Sequence, residues 1–212
     1  MRLNKPRKDV KILNVELSST SVGEVLDFVE SSLKLRRKFF IVTPNPEMIV
    51  ESTDNPVFLE ALNTSDIALP DGVGLLLINS SLERITGREM MLKLFEFAGK
   101  RNLKVFLLGA SATVNNWAVD KASKEFGGAK FDGDGILVIG RDGVPDTKLA
   151  LSYEKDIVDR INKFGPDLLI VAFGAPKQEL WVARNYNQLK VGGVMVVGGA
   201  LDYYAGSKTL PP

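Results

Sequence analysis

Residues 168–179 read LLIVAFGAPKQE, and this stretch decides the fold. Its first five residues are all apolar, with no alternation of apolar and polar positions. A strand of this composition is buried on both faces, which is typical of a parallel sheet covered by helices on either side. The glycine ends the strand, and the proline and polar residues after it are typical of the first turn of a helix. The stretch therefore predicts one strand–turn–helix unit of an α/β fold.

The same arrangement recurs along the chain, where short apolar runs alternate with segments of helical periodicity. The predicted strands are Lys11–Val15, Phe39–Val42, Ile67–Leu69, Lys104–Leu108, Leu168–Ala172 and Val194–Val197. Apolar stripes at helical spacing run through residues 22–33, 114–122 and 153–164. We therefore predict a doubly wound, mostly parallel, Rossmann-like sheet with helices on both faces. Residues 127–146 are rich in Gly and Asp and predict one or two strands and turns, whose order in the sheet stays open.

Composition excludes several classes of function. The chain has 212 residues, with 27 Lys and Arg against 26 Asp and Glu, so it lacks the basic excess of a typical nucleic-acid binder. It has no His and no Cys, which excludes a Ser-His-Asp triad, a Cys nucleophile, a disulfide and the usual zinc sites. Any acid–base chemistry must therefore use Asp, Glu, Lys or Tyr.

The chain also lacks the sequence signals of membrane insertion or export. No apolar run reaches the roughly 18 residues of a membrane span, and the basic first residues lack the apolar core of a signal peptide. We expect a soluble, cytoplasmic protein.

Asp71 is the most informative single residue. It follows a predicted buried strand and lies between Pro70 and Gly72, at the sheet edge where ligands bind in open parallel sheets. Burial there would raise its pKa and favour a role as a base. Spacing alone, however, favours a simpler role as the N-cap of a helix through Leu75–Ile78.

Polar residues in neighbouring turns have both a binding and a structural interpretation. Thr43 and Asn45 flank Pro44, with Pro46 next along the chain, and suit sugar hydroxyls or an acetamido group, although this is also common turn chemistry. Arg84 and Arg88 can each bind a diphosphate, and Arg88 is favoured because it follows Thr86-Gly87 at a predicted helix start.

Two glycine-containing turns are candidates for nucleotide binding. Gly109, Ala110 and Ser111 open a predicted helix whose free N–H groups suit phosphate, and a close strand-to-helix turn is an equally good interpretation. Residues Gly174–Glu179 place Lys177, Gln178 and Glu179 at a helix start, where they either reach a nucleotide or sugar or form a solvated first turn.

Asp132-Gly133-Asp134 has the spacing of a metal-binding acidic pair. A turn is the better interpretation in this Gly-rich segment, so we predict no metal site.

Taken together, these segments resemble the WecG/TagA/CpsF family of bacterial glycosyltransferases (glycosyltransferase family 26), and most closely its branch in wall teichoic acid synthesis. The matching segments occur in family order and are Thr43–Met48, Leu69–Gly72, Arg84–Gly87, Val105–Gly109, Gly165–Leu168, Gly174–Glu179 and Val197–Asp202.

The resemblance implies a reaction and assigns roles. Such enzymes move N-acetylmannosamine from UDP to the C4 hydroxyl of N-acetylglucosamine on undecaprenyl diphosphate, with inversion and no metal or other cofactor. It implies that Asp71 is the base. Thr43, Asn45, Arg88 and Gln178 then become the expected sugar- and diphosphate-binding residues. Gly109, Ala110, Ser111, Gly174, Lys177 and Glu179 are the expected nucleotide-binding residues.

The resemblance also sets expectations for the chain end and the partners. We predict one domain over residues 1–202, with 203–212 starting a shortened tail that would otherwise dock on the inner face of the cell membrane. We therefore expect weak activity or none, and a homo-oligomer formed through exposed apolar surface. Two alternatives stay open: another UDP-sugar donor, such as glucose or N-acetylmannosaminuronic acid, and a nucleotide-sugar-binding module without catalysis.

Overall fold

The computed structural model of the chain describes residues 5–135 and 139–209. Six strands form one parallel sheet in the order β4-β3-β8-β7-β5-β6. The strands are β3 (Phe39–Val42), β4 (Ile67–Ala68), β5 (Lys104–Gly109), β6 (Lys130–Asp134), β7 (Leu168–Ala172) and β8 (Gly193–Val196), and they follow a separate antiparallel hairpin of β1 (Lys8–Ile12) and β2 (Val15–Ser18). The predicted α/β fold with a parallel sheet is confirmed.

Helices cover both faces of the sheet. They are α1 (Val22–Lys34), α2 (Pro46–Asp54), α3 (Pro56–Thr64), α4 (Val73–Ile78), α5 (Gly87–Arg101), α6 (Ala112–Glu125), α7 (Lys148–Phe164), α8 (Lys177–Asn185) and α9 (Ala200–Ala205). Neighbouring strand residues belong to different cores: Phe40 and Val42 pack with α2, α3, α7 and α8, whereas Phe39 and Ile41 pack with α1, α5, α6 and α9. Both faces are therefore dry, which explains the absence of polar alternation in the strands.

Local chemistry sets several helix starts. Asn45 and Asn55 each accept a backbone N–H three residues on and are followed by proline, and Thr86 and Ser111 cap α5 and α6 in the same way. Side-chain oxygens at these positions satisfy N–H groups that the helix itself leaves unpaired.

Two local predictions are wrong. The strand predicted at Lys11–Val15 contains the hairpin turn, where Leu13 and Asn14 have φ of 45° and 71°. Asp132 and Asp134 lie in strand β6 and not in a turn. The C-terminal segment that starts at Tyr203 begins inside α9, where Tyr204 is buried and donates to Glu125 Oε2 at 2.7 Å.

Within the described residues, no helix combines the length and the apolar character that crossing a bilayer would require.

Candidate functional site

Two adjoining cavities lie along the carboxyl edge of the parallel sheet. The larger, of about 980 Å³, lies over the ends of β4, β3, β8 and β7 and contains Asp71. The smaller, of about 650 Å³, lies over the ends of β8, β7, β5 and β6 and contains Ser111. We call them the Asp71 cavity and the Ser111 cavity. Gly174, Gly198 and Gly199 line both, so the turns after β7 and β8 form a shared wall.

Asp71 is held in place by two other segments, the turn after β3 and the start of α5. Its backbone N–H donates to the carbonyl of Pro44 at 2.8 Å, and its Oδ2 accepts the backbone N–H of Gly87 at 2.9 Å. Next to it, Gly72 has φ of 141°, and a Cβ there would approach the Pro46 ring to 2.9 Å, so only glycine fits this turn. The carboxylate is therefore fixed at the cavity wall.

The surroundings of Asp71 raise its pKa above the ordinary value. Burial is the main cause, because it disfavours the charged carboxylate, and the exposed Glu89 adds to it. The Gly87 N–H and the Arg84 guanidinium oppose the rise. Such a carboxylate is a stronger base than a free aspartate.

The simpler interpretation of Asp71 as the N-cap of α4 is wrong. Gly72 is the N-cap, and α4 has no side-chain cap. The Asp71 carboxylate instead accepts from the first residue of α5, which leaves its other oxygen, Oδ1, with no hydrogen bond to the described residues.

The structure brings the predicted sugar- and diphosphate-binding residues together. Thr43, Asn45, Arg88 and Gln178 all line the Asp71 cavity. The Asn45 Oδ1 caps α2 by accepting the Met48 N–H at 2.9 Å, so a ligand would meet its amide nitrogen. The Arg88 Nε is buried and has no partner among the described residues, so this cation has donor capacity left for an anion.

The Ser111 cavity receives most of the predicted nucleotide-binding residues. Ala110, Ser111, Gly174 and Lys177 line it. Gly109 does not line it but shapes its floor: its φ is 104°, and a Cβ there would lie 2.6 Å from the carbonyl oxygen of Ala172. This supports the interpretation of a close turn for Gly109 itself.

Glu179 lies at neither cavity wall. Its side chain is 0% exposed, and its Oε1 accepts the Gln178 amide N–H at 2.9 Å. Burial raises the pKa of Glu179 to about 7, against hydrogen bonds from Gln178 and its own backbone N–H that lower it. The structure thus places Glu179 behind the site and not against a nucleotide.

A family model described as "Glycosyl transferase WecG/TagA/CpsF family" matches residues 10–212. The chain belongs to this family. Two relatives from Staphylococcus aureus, strains MRSA252 and COL, are each named N-acetylglucosaminyldiphosphoundecaprenol N-acetyl-beta-D-mannosaminyltransferase. Each is 30% identical to this chain over 210 residues, which is 96% of this chain and 78% of the relative.

Asp132 and Asp134 both form ion pairs with Arg160. Arg160 donates to Asp132 Oδ1 at 2.6 Å and to Asp134 Oδ2 at 2.9 Å, and the Tyr153 hydroxyl also contacts Asp134. Among residues 5–135 and 139–209, no three or more His, Cys, Asp or Glu side chains are grouped so that they could hold a metal ion. The two ion pairs with Arg160 thus give Asp132 and Asp134 a structural role.

Sequence reasoning missed several residues that line the cavities. Glu51 and Tyr203 line the Asp71 cavity, and Asp202 and Lys208 form an ion pair of 3.3 Å at the Ser111 cavity. Asp202 carried a usable signal, since it lies three residues after the glycine turn that follows β8. Glu51 carried none, because it is one of several polar residues on α2 and only the tertiary structure turns it towards the sheet edge.

Proposed function

We propose that this glycosyltransferase moves N-acetylmannosamine from UDP to the C4 hydroxyl of N-acetylglucosamine carried on undecaprenyl diphosphate, with inversion at the anomeric carbon. The names of the two relatives specify an N-acetylmannosaminyl group and a lipid-linked N-acetylglucosamine acceptor, and the two adjoining cavities supply room for two substrates. An acceptor with such an anchor lies in a bilayer, so the enzyme would work at the inner membrane surface.

The Asp71 carboxylate carries this proposal. As the acceptor oxygen forms its bond to the anomeric carbon, the hydroxyl proton passes to Asp71, and the bond from the anomeric carbon to the UDP oxygen breaks with its electron pair leaving on UDP. One base is sufficient, because an inverting transfer forms no covalent enzyme intermediate. Burial and the fixed position of the carboxylate at the cavity wall suit this role.

The cations around the two cavities would compensate the charges of two diphosphates, that of the leaving UDP and that of the lipid-linked acceptor. Arg84 and Arg88 face the Asp71 cavity, and Lys177 faces the Ser111 cavity across the shared wall. Fixed positive charges and glycine N–H groups stabilise a developing anion without having to reorganise during the reaction. We therefore assign UDP to the Ser111 cavity, the acceptor to the Asp71 cavity, and the transferred sugar to their junction.

The test is the D71N variant, because asparagine keeps an oxygen that can accept from Gly87 and has nearly the same shape. We expect release of UDP from UDP-N-acetylmannosamine, in the presence of a short-chain lipid-linked acceptor, to fall about 10²–10⁴-fold, which is the usual contribution of a general base. Affinity for UDP, measured by calorimetry, should stay within about threefold of the unmodified chain, since the nucleotide cavity is unchanged.

The matched control is D120N, which makes the same substitution at an exposed position on α6 and should keep full turnover. UDP-glucose and UDP-N-acetylmannosaminuronic acid are tested in parallel, and preferential turnover of either would replace the proposed donor. Equal turnover by D71N and the unmodified chain would refute the role of Asp71. UDP binding without transfer to any acceptor would instead identify a binding module.

A further inference from the structure

Glu179 is buried in a way that calls for an explanation. It lies in the first turn of α8 with 0% of its surface exposed, and its Oε2 has no hydrogen-bond partner among the described residues. Its Oε1 accepts from the Gln178 amide nitrogen. Burying a carboxyl group with one oxygen unpaired is unfavourable, so an apolar residue would suit packing better. The one hydrogen bond that its side chain makes to another side chain of the described residues therefore points to a role through Gln178.

Gln178 joins the two turns that separate the cavities. Its Oε1 accepts the backbone N–H of Gly174 at 3.2 Å and that of Gly198 at 3.0 Å. The two glycines follow β7 and β8 and have φ of 80° and 55°. A Cβ at either would meet nothing within 4 Å, so these turns border open space. One amide oxygen therefore sets the distance between the two halves of the shared wall.

This arrangement works with only one orientation of the Gln178 amide. If the amide turned over, its NH₂ group would face two N–H donors and no acceptor, and its oxygen would face a carboxyl group. The acceptor that Glu179 offers to the NH₂ end selects the correct orientation. An apolar residue at position 179 would leave the NH₂ end without this acceptor, so that only the two glycine N–H groups would still favour the correct orientation.

We propose that Glu179 is a positioning residue that orients the Gln178 amide, and thereby fixes the wall between the Asp71 and Ser111 cavities. The effect on catalysis rests on the proposed function, in which the bond to be broken lies at this wall. The effect on the wall itself does not depend on which reaction is catalysed.

The experiment compares E179M, which removes the acceptor while keeping a similar length, with E179Q, whose side-chain oxygen can still accept. The first measurement is amide hydrogen exchange at Gly174 and Gly198, normalised to Ile170 within strand β7. We expect E179M to accelerate exchange at both glycines at least about tenfold, and E179Q by less than about threefold. E179A serves as a second apolar variant if E179M does not fold.

The second measurement is a double-mutant cycle on transfer activity. We expect E179M and Q178M each to lower kcat by at least about tenfold, because small displacements at a reacting centre are costly. The double variant should lose no more than Q178M alone, within about twofold, since Glu179 acts through Gln178. E179Q should recover most of the loss in E179M. A merely structural residue would lower stability without this coupling.

The control for general destabilisation is E154Q, which alters a buried carboxylate on α7 that contacts Trp181 and Arg184 on α8 and lines neither cavity. It should not accelerate the two glycine amides selectively. Unchanged exchange at both glycines in E179M overturns the proposal, as do additive losses in the cycle or faster exchange with full activity. If the unmodified chain transfers no sugar while the exchange results are as expected, the proposed function fails and the positioning role stands.

Discussion

Replacing Glu179 with glutamine should make the protein more stable at alkaline than at acidic pH, relative to the unmodified chain. Burial raises the pKa of Glu179 from 4.5, the ordinary value, to about 7 in the folded protein. The unfolded chain has no such burial, so there the carboxyl group ionises near its ordinary value. Between these two values the folded state holds a proton that the unfolded state has lost.

The sign and size follow from this difference. A raised carboxyl pKa means that the folded state is favoured at low pH, and that stability falls as pH rises from about 4.5 to about 7. At roughly 1.4 kcal/mol per pH unit, the loss amounts to about 3 kcal/mol. Glutamine does not titrate, so E179Q does not lose this stability as pH rises. The stability of E179Q minus that of the unmodified chain should therefore rise by about 3 kcal/mol from pH 4 to pH 8.

Urea unfolding at each pH, followed by fluorescence of the buried Trp181, measures this difference. The matched control is E83Q, which removes an exposed carboxylate and should change stability by no more than about 0.5 kcal/mol throughout. A difference between E179Q and the unmodified chain that stays constant from pH 4 to pH 8, or that falls, would refute the assignment of a buried carboxyl with a raised pKa.

Three further predictions concern the turns and caps around the site. G109A should lower the free energy of unfolding by about 2–4 kcal/mol in urea titrations, because a Cβ there meets the Ala172 carbonyl at a φ that alanine avoids; a loss below 1 kcal/mol would contradict this. N45A and N55A should each lower the free energy of unfolding by about 1 kcal/mol, because each removes a helix cap. Only N45A should also slow sugar transfer, since Asn55 does not line the Asp71 cavity. Equal turnover by the two variants would remove Asn45 from the site. The rate of transfer should fall as pH drops through the raised pKa of Asp71, above the ordinary value near 4, and a profile unchanged in D71N would assign that limb to another group.

Most strands of the sheet could be predicted because their apolar composition indicates burial on both faces. A run such as Leu168–Ala172 has no polar residue at any position, and only a strand covered on both faces tolerates this. The hairpin was missed because Lys8–Ser18 mixes charged and apolar residues on both sides of a turn that lacks glycine and proline. A turn made by Leu13 and Asn14 has little local signature.

The candidate site was predictable as a set of turns, since the carboxyl ends of parallel strands share one edge. The division of the site into two cavities could not be predicted, because it depends on the strand order, which places β7 and β8 at the centre of the sheet. The burial of Glu179 also could not be predicted from the sequence. A polar residue in a first helical turn usually faces water, and only the packing of α8 against the sheet turns this one inward.

The sequence by itself determined the parallel α/β architecture, the absence of histidine and cysteine chemistry, and the candidate aspartate, because these follow from residue type and order alone. The tertiary structure decided which groups meet: that Asp71 accepts from the start of α5, that Arg160 neutralises the acidic pair, and that Gln178 joins two turns. These contacts bring together residues from separate strand–helix units, 16 positions apart for Asp71 and Gly87 and 20 for Gln178 and Gly198. The packing of the sheet and its helices sets such distances, and no local sequence pattern encodes them.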